Sequence, residues 1–448
     1  MPEPAAVDLL VSGGLVVTVD PAWSLFADGA VAIRDGVLVA IGPRSELVTT
    51  YQAERTIDAR GRLVIPGLIN THTHAPMVIY RGLADDLPLM TWLEDFVWPA
   101  EARFTTADAV RAGATLAAAE MIAGGTTCFA DMYFFPDVAA EATRAAGLRG
   151  VIGRTFLNFP APDAPGPAHA LADCERFLER WHGDPLITPA VAPHSIYAVD
   201  PRWLTAGHEL AVRYRVPFHT HVSETAGEVD TCRSANKGLT PPAFLDALGV
   251  LDERTVAAHC VHVTAQDIAL LAARGAGVAH CPESNMKLAS GVAPIPDMLA
   301  GLVKVGLGSD GAMSNNNLSM LGTMNMAALL HKVVREDPTV VPARTVVHMA
   351  TQGGADVLGL GDRLGSLEPG KVADVVLLRL DRPHAVPLYD PYSHLAYVLQ
   401  DGDVDTVIIA GQVVYEGGEL RTIDLPAVRD AVQEIAGRIA AAEIGRHG

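Results

Sequence analysis

Short apolar segments alternate with helical stretches through the middle of the chain. The apolar segments are bounded by turn residues, which is typical of buried strands, and the stretches between them, such as "TADAVRAGATLAAAEMIAGG", have a helical pattern. The strands are predicted at about 63–72, 126–133, 148–158, 187–195, 217–223, 255–261, 277–282 and 303–309. Eight strands alternating with helices predict a (β/α)8 TIM-type barrel over residues 63–364. An open doubly wound sheet is the alternative, but it would normally carry a glycine-rich phosphate loop where "GLINTHTH" stands.

The two ends of the chain have a different pattern. "DLLVSGGLVVTVD" and "GAVAIRDGVLVAIG" near the start, and "VADVVLLRLD" and "VDTVIIAGQVVYEGGEL" near the end, are β-rich runs broken by turn residues. Neither block is long enough for a stable β domain alone. We therefore predict one composite β-sandwich domain from residues 1–62 and 365–424, and a C-terminal segment, 425–448, with a helix over about 425–444.

Charge and composition narrow the class of partner. The 448 residues include 52 acidic and 33 basic side chains, which gives a net charge of −19. This balance disfavours a nucleic acid or an anionic membrane, since phosphate contacts need clustered Lys and Arg. The five cysteines are scattered without a CxxC pair, which predicts reduced thiols. Because no secretory signal pattern and no membrane-spanning apolar run is found, we expect a cytoplasmic protein without a membrane partner.

Histidine is concentrated where the predicted strands end. Eight of the 16 histidines lie there, namely His72, His74, His194, His219, His221, His259, His262 and His280. The eighth strand adds Asp310 in "GLGSDGAMSNN". Active sites of such barrels lie at the C-terminal ends of the strands, and residues i and i+2 of a strand share a face. Imidazoles and a carboxylate gathered there predict a metal site that suits Zn²⁺ or Fe²⁺.

A single metal ion per chain is the simpler arrangement. Two-metal hydrolases on this fold often bridge their ions with a carbamylated Lys on strand 4. The lysines of this chain lie elsewhere, at Lys237, Lys287, Lys304, Lys332 and Lys371, and "LITPAVAPHSIY" offers no bridging Glu. One divalent ion, with Zn²⁺ favoured and Fe²⁺ as the alternative, would be held by His72, His74, His221 and Asp310 and leave room for a water molecule.

Motifs along almost the whole chain resemble one family. They are "PGLINTHTHAPM", "RGLADDLPLMTWLEDFVWPAE", "GGTTCFADMYFFP", "APHSIY", "HTHVSETAGEV", "AAHCVH", "HCPESNMKLASG", "GLGSDGAMSNNNLSM" and "GSLEPGKVADVVLL". The HxH pair marks only the amidohydrolase superfamily, whereas its combination with HxxE, "HCPESNMKLASG" and "SDGAMSNN" is far more specific. The chain resembles the 5′-methylthioadenosine/S-adenosylhomocysteine deaminases of that superfamily.

The resemblance implies hydrolytic deamination of an adenosine-type nucleoside, with ammonia as the second product. The matching motif positions imply the same four metal ligands as the spacing does. Glu224 would bind and protonate the purine ring, Asp310 would accept the proton of the attacking water, and His259 would contact that water. His194 and Trp92 would contact the nucleoside. The resemblance also implies a homo-oligomer.

One departure from the family concerns the loop after strand 3. Family members that handle S-adenosylhomocysteine well tend to carry a basic residue there, which meets the substrate carboxylate, whereas residues 155–175 contain no Lys or Arg. Arg154, in the preceding strand, is a candidate substrate contact. We therefore expect an uncharged 5′ group, as in 5′-methylthioadenosine, 5′-deoxyadenosine or adenosine.

Other activities stay open on the same scaffold. They are dechlorination or deamination of s-triazines, deamination of guanine or a pterin, and binding without catalysis. Glu224, His259 and Asp310 together favour a deaminase, because that reaction must protonate both the ring nitrogen and the leaving amine.

Overall fold

The computed structural model describes residues 4–444. In chain order the strands are β1 (Ala5–Val17), β2 (Leu25–Arg34), β3 (Val37–Pro43), β4 (Tyr51–Asp58), β5 (Arg62–Pro66), β6 (Leu68–Thr73), β7 (Thr126–Tyr133), β8 (Arg149–Phe156), β9 (Ile187–Pro193), β10 (Phe218–Val222), β11 (Thr255–His259), β12 (Gly277–His280), β13 (Lys304–Leu307), β14 (Val375–Arg379), β15 (Val404–Ile409), β16 (Gln412–Glu416) and β17 (Glu419–Leu420).

The helices follow the same order. They are α1 (Arg44–Thr50), α2 (Leu89–Thr91), α3 (Trp98–Phe104), α4 (Ala107–Ala123), α5 (Pro136–Ala145), α6 (Pro167–Trp181), α7 (Pro201–Tyr214), α8 (Ala226–Ala235), α9 (Pro241–Ala247), α10 (Ala265–Arg274), α11 (Pro282–Lys287), α12 (Ile295–Ala300), α13 (Met320–Arg335), α14 (Ala343–Met349), α15 (Gln352–Val357), α16 (Pro391–Tyr397) and α17 (Leu425–Ile444). Short 3₁₀ segments cover Ala75–Tyr80, Pro383–Ala385 and Asp401–Asp403, and Trp92–Val97 is π-helical.

Strands β6 to β13 form an eight-stranded sheet in which each strand neighbours the next one along the chain. Every residue of β7 and β8 is buried, which accounts for the continuous apolar runs of the sequence. The first and last strands approach each other where the Asp310 N–H donates to the His72 carbonyl at 2.9 Å and the Thr71 hydroxyl donates to the Leu307 carbonyl at 2.9 Å. The sheet is a nearly closed barrel, so the predicted (β/α)8 architecture is confirmed.

The first predicted barrel strand, 63–72, is wrong as a single element. The chain forms β5 up to Pro66 and starts β6 at Leu68, and these two strands belong to different sheets. Gly67 stands at the break, where a Cβ atom would collide with the side chain of Thr127. All residues of β6 and four of the five residues of β5 are buried, so the apolar run continues through the break. Hydrophobic pattern alone could not locate it.

The remaining strands form a sheet from both ends of the chain. Its order is β17-β16-β15-β14-β5-β1-β2-β3, with β4 also paired to β1. Val64 of β5 pairs with Val16 of β1 on one side and with Leu377 of β14 on the other. Val31 and Ile33 of β2 join one apolar cluster. Ala30 and Ala32 of the same strand join a second cluster with Leu47 of α1, because alternate residues of a strand face opposite sides. The predicted joint β domain is confirmed, and its boundaries at residues 62 and 365 stay a prediction.

The described residues divide into two compact units. One holds the residues up to Ile69 with Met121–Cys128 and Ser319–Thr422, and the other holds Asn70–Glu120, Phe129–Leu318 and the residues from Ile423. The predicted C-terminal helix is present as α17, whereas residues 445–448 of the predicted segment 425–448 lie outside the described residues. Within residues 4–444, none of the helices is both long and apolar enough to cross a membrane.

Candidate metal centre and active site

The predicted site residues come from the ends of five barrel strands, all within the second unit. They are His72 in β6 and His74 directly after it, His194 after β9, His221 in β10 and Glu224 in the turn after it, His259 at the end of β11, and Asp310 after β13. The C-terminal ends of parallel barrel strands open on one face. One cavity there is lined by His74, His194, His221, Glu224, His259 and Asp310.

The donor atoms of the four predicted metal ligands lie close together. The Nε2 atoms of His72 and His74 are each 3.3 Å from Oδ1 of Asp310. The Nε2 atoms of His74 and His221 are 3.3 Å apart. The donor atoms form two groups, and within each group all atoms lie within 4.8 Å of one another. One group is His72, His74 and Asp310, and the other is His72, His221 and His259.

Hydrogen bonds to backbone carbonyls fix which ring nitrogen faces this cluster. Nδ1 of His74 lies 2.8 Å from the Met132 carbonyl, and Nδ1 of His221 lies 2.7 Å from the His194 carbonyl. A carbonyl only accepts, so both Nδ1 atoms carry the proton and both Nε2 atoms present a lone pair. This carbonyl-to-imidazole support is the usual second layer of a metal-ligating histidine.

The donor set fits a divalent metal ion. Two atoms bound to one ion at about 2.0–2.2 Å with tetrahedral angles lie about 3.3–3.6 Å apart, which matches the observed donor separations. The lone pairs of His74 and His221 face each other at 3.3 Å, and such an arrangement is repulsive without a shared cation. Nε2 of His72 is buried and has no hydrogen-bond partner among the described residues. Imidazole nitrogens with one carboxylate suit Zn²⁺ or Fe²⁺.

His259 is held in a different tautomer from His74 and His221. The Asn285 side-chain amide donates to Nδ1 of His259 at 2.9 Å, so the proton of the neutral ring lies on Nε2. A protonated nitrogen cannot bind a metal ion but can donate a hydrogen bond. The geometry therefore favours His221 over His259 as the ligand beside His72.

The carboxylate of Asp310 is fixed from several sides. Its Oδ2 accepts from the hydroxyls of Ser284 at 2.6 Å and Ser314 at 3.0 Å, and its Oδ1 accepts from the Gly311 N–H at 2.8 Å. Asp310 has a φ of 63°, a left-handed conformation that non-glycine residues seldom adopt. The preceding Gly308 packs so tightly that a Cβ atom there would lie 3.0 Å from the His72 Cβ. These contacts direct Oδ1 toward the imidazoles.

Burial keeps the imidazoles of His72, His194 and His221 neutral, whereas neighbouring imidazoles keep Asp310 charged. Burial lowers the pKa of His72 to about 4 and that of His194 to about 3, and it holds the pKa of His221 well below its usual value. Burial alone would raise the pKa of Asp310, but its interactions with His72, His259 and His74 together outweigh burial and hold that pKa well below normal. Neutral imidazoles and a carboxylate are the forms that bind a metal ion.

The pKa of Glu224 is raised, in contrast to that of Asp310. It is 4% exposed, and burial together with the Asp310 carboxylate raises its pKa to about 8. Its Oε2 lies 3.8 Å from Nε2 of His259. A buried carboxyl that keeps its proton at neutral pH beside an ionised one can act as a general acid, and two carboxyls with separated pKa values mark an acid and a base.

The walls of the cavity are mostly apolar. Trp92 lines the cavity, its indole N–H donates to the Ala84 carbonyl at 3.1 Å, and a contact with the nucleoside stays a prediction. Sequence reasoning missed Glu101, Tyr133 and Tyr197, which also line it. Burial raises the pKa of Glu101 to about 7. None of the described residues that line the cavity is Lys or Arg.

Arg154 is not brought to the cavity wall with the other candidates. Its side chain is 1% exposed and pairs with Asp163 at 3.1 Å and with Asp173 at 3.8 Å, while Nη1 donates to the Thr155 carbonyl at 2.9 Å. The neighbouring Thr155 lines the cavity instead. A direct substrate contact by Arg154 stays a prediction.

Two kinds of similarity decide the family. The Amidohydrolase family profile matches residues 63–414. The chain is 47% identical over 429 residues to the 5-methylthioadenosine/S-adenosylhomocysteine deaminase of Syntrophobacter fumaroxidans, covering 96% of this chain and 98% of that protein. The chain belongs to the amidohydrolase family. This confirms the predicted superfamily and the resemblance to its methylthioadenosine/S-adenosylhomocysteine deaminases.

Two solved structures share the fold. A zinc-bound adenosine deaminase from Xanthomonas campestris is 39% identical and superposes with a TM-score of 0.96, covering 98% of this chain and all 100% of that one. An atrazine chlorohydrolase from Arthrobacter aurescens, complexed with zinc, is 27% identical with a TM-score of 0.88, covering 96% of this chain and 100% of that chain. Both the predicted activity and its triazine alternative are therefore represented among proteins of this fold.

Proposed function

We propose that the protein is a metal-dependent aminohydrolase that deaminates an adenosine-type nucleoside to the inosine analogue and ammonia. The observation that carries this proposal is the position of Glu224, a buried carboxyl with its pKa raised to about 8, beside the imidazole–carboxylate cluster in one cavity. Deamination needs an acid that protonates the ring nitrogen and a base that accepts a proton from the attacking water. Glu224 would be the acid and Asp310 the base. The names of the relatives support a hydrolase that acts on C–N bonds.

One divalent ion per chain, with Zn²⁺ favoured over Fe²⁺, would be held by His72, His74, His221 and Asp310. When bound, the ion lowers the pKa of a water molecule from about 15.7 toward about 7 and so supplies a nucleophile at neutral pH. The donor separations of 3.3 Å and the tautomers of His74 and His221 support this set. The zinc in the adenosine deaminase structure supports the choice of metal.

The chain's own residues move the protons. Asp310 accepts a proton from the attacking water on its carboxylate, and Nε2–H of His259 donates a hydrogen bond to that water and orients it. Glu224 donates its proton to N1 of the purine, which makes C6 electrophilic. After water adds to C6, Asp310 passes its proton to the amino group, ammonia leaves from the tetrahedral carbon of the substrate, and Glu224 recovers a proton from the C6 hydroxyl as the carbonyl forms. His194 and Trp92 line the cavity where they would contact the nucleoside.

The cavity walls support an uncharged 5′ group on the substrate. The three carboxyl side chains that line the cavity, those of Glu101, Glu224 and Asp310, face no lysine or arginine among the described lining residues. A substrate carboxylate would therefore be desolvated without a positive partner, which is costly. This supports 5′-methylthioadenosine, 5′-deoxyadenosine or adenosine over S-adenosylhomocysteine. A homo-oligomer and a cytoplasmic location stay part of the proposal.

An ammonia-release screen tests the proposal. Metal-loaded protein is incubated separately with adenosine, 5′-methylthioadenosine, 5′-deoxyadenosine, S-adenosylhomocysteine, guanine and a chlorotriazine. We expect ammonia from the uncharged adenosine-type nucleosides first. Ammonia only from guanine, or chloride only from the triazine, would replace the proposed substrate class, and a strong preference for S-adenosylhomocysteine would refute the argument from the cavity walls.

A further inference from the structure

The turn that carries Glu224 is held by a second buried carboxylate, Glu228. The Ser223 N–H donates to Oε1 of Glu228 at 2.9 Å, and the Glu224 N–H donates to Oε2 at 2.7 Å. We call this pair of hydrogen bonds the Glu228 clamp. Glu228 is 8% exposed, and within residues 4–444 no Lys or Arg pairs with it, so two consecutive backbone N–H groups are its main partners.

The clamp holds an unusual backbone. Ser223 has a φ of 53°, in the left-handed region that serine seldom adopts, so the chain turns sharply directly after β10. Successive N–H groups that point to one side in such a turn form a concave site for acceptor oxygens, and the two carboxyl oxygens of Glu228 fill it. On the other side of the turn, the Ser223 carbonyl accepts from the His262 N–H at 2.9 Å.

Glu228 does more than cap a helix. It is the third residue of α8, whose N-cap residue, Thr225, accepts from the Glu228 N–H at 3.2 Å. In an ordinary capping box the acidic third residue accepts from the N-cap N–H. Helix α10 has that arrangement, since Asp267 accepts from the Thr264 N–H at 2.8 Å. The Glu228 carboxylate instead passes the N-cap and binds the two preceding residues, one of which is Glu224.

We propose that Glu228 is a positioning residue that holds the Glu224 carboxyl in the orientation needed for proton transfer to the substrate ring. This inference rests on the proposed function, because it takes Glu224 as the general acid. Proton transfer depends steeply on the position of the donor. Loss of the acceptor for either N–H group would let the left-handed turn relax and move the Glu224 side chain, while the imidazoles and Asp310 keep their own supports.

The substitution Glu228→Gln tests the clamp. An amide offers one acceptor oxygen in place of two, so one of the two N–H groups would face the amide NH₂ without a partner. We expect kcat to fall about 10- to 100-fold, with KM and bound metal close to wild type. The matched control is Asp267→Asn, because Asp267 is also a buried acidic third residue of a helix but holds no site residue. Asp267→Asn should lose about as much thermal stability as Glu228→Gln and keep kcat within about twofold of the wild type.

Amide hydrogen exchange gives a second readout that does not depend on activity. We expect the N–H groups of Ser223 and Glu224 to exchange faster in Glu228→Gln than in the wild type and in Asp267→Asn. A folded Glu228→Gln variant with wild-type kcat, or a drop in kcat matched by Asp267→Asn, overturns the inference. If Glu228→Gln does not fold, Glu228→Asp, which keeps the charge but shortens the reach, is judged by the same criteria. If wild-type protein deaminates nothing, the proposed function fails, and unchanged exchange in the variant then refutes the clamp separately.

Discussion

The substitution Glu224→Gln separates the acid role from the metal role. Burial and the Asp310 carboxylate raise the pKa of Glu224 to about 8. At pH 7 a carboxyl with that pKa is protonated in about 90% of molecules, against about 0.3% for a glutamate at its ordinary value. The site therefore populates the acid form about 300 times more than an exposed glutamate would. That population is what the proposed step on the purine ring requires.

Gln has nearly the same shape as Glu but no proton that it can transfer. We expect kcat to fall about 10²- to 10⁴-fold, the usual range for a lost general acid, with KM and bound metal close to wild type. Ammonia release and elemental analysis on the same preparation measure both. The exposed Glu209 provides the control Glu209→Gln, which should behave like the wild type. A Glu224→Gln enzyme with more than about a tenth of the wild-type kcat would refute the assignment of Glu224 as the acid.

Three further predictions concern the metal ligands, their packing and pH. His72→Ala should lose bound metal and activity together. The control His182→Ala, at an exposed histidine, should lose neither. Metal retained by His72→Ala would contradict the assignment of His72 as a metal ligand. Gly308→Ala places a Cβ 3.0 Å from the His72 Cβ and 3.1 Å from the Cys281 Sγ, so we expect a loss of about 1–3 kcal/mol in unfolding free energy and weaker metal binding. The control is Gly437→Ala, at an exposed position of α17 where a Cβ meets no atom within 4 Å, and it should be neutral or stabilising by up to about 1 kcal/mol. Equal effects of the two substitutions would count against the role of packing at Gly308. The raised pKa of Glu224 keeps its acid form present below about pH 8, so activity should decline as pH rises through that value. A bound cation lowers the pKa of Glu224, which would move the decline to a somewhat lower pH. A rate that increases through about pH 9 would contradict an acid role for Glu224.

Local periodicity was sufficient for much of the barrel and for part of the site. His72 and His74 are two residues apart at a strand end, so the period of a strand is enough to predict that they meet. Seven of the eight predicted barrel strands lie near their observed positions, because apolar segments bounded by turn residues mark them. The break at Gly67 was missed because β5 and β6 are both buried, and burial on both sides of a bend leaves one uninterrupted apolar run.

Contacts across the barrel could not be predicted from local pattern. Ser284, after β12, holds Asp310, after β13, only because these two strands end on the same face, whereas Ser314 lies four residues after Asp310 in the same loop. Glu101 is the last residue of the motif "RGLADDLPLMTWLEDFVWPAE", but its place in the cavity wall depends on the tertiary packing of α3. The Glu228 clamp had a local signal, an acid at the third position after Thr225, but that spacing predicts an ordinary capping box. Only the coordinates show which N–H groups it binds.

The central claim is that one metal ion at the His72, His74, His221 and Asp310 site supports deamination of an uncharged adenosine-type nucleoside. The most direct test is a titration of chelator-treated protein with Zn²⁺, with ammonia release from 5′-methylthioadenosine followed at each addition. We predict that the rate is near zero without metal, rises in proportion to added Zn²⁺ and becomes constant at about one equivalent per chain. A rate that is independent of metal, or that becomes constant only at two equivalents, would contradict the account.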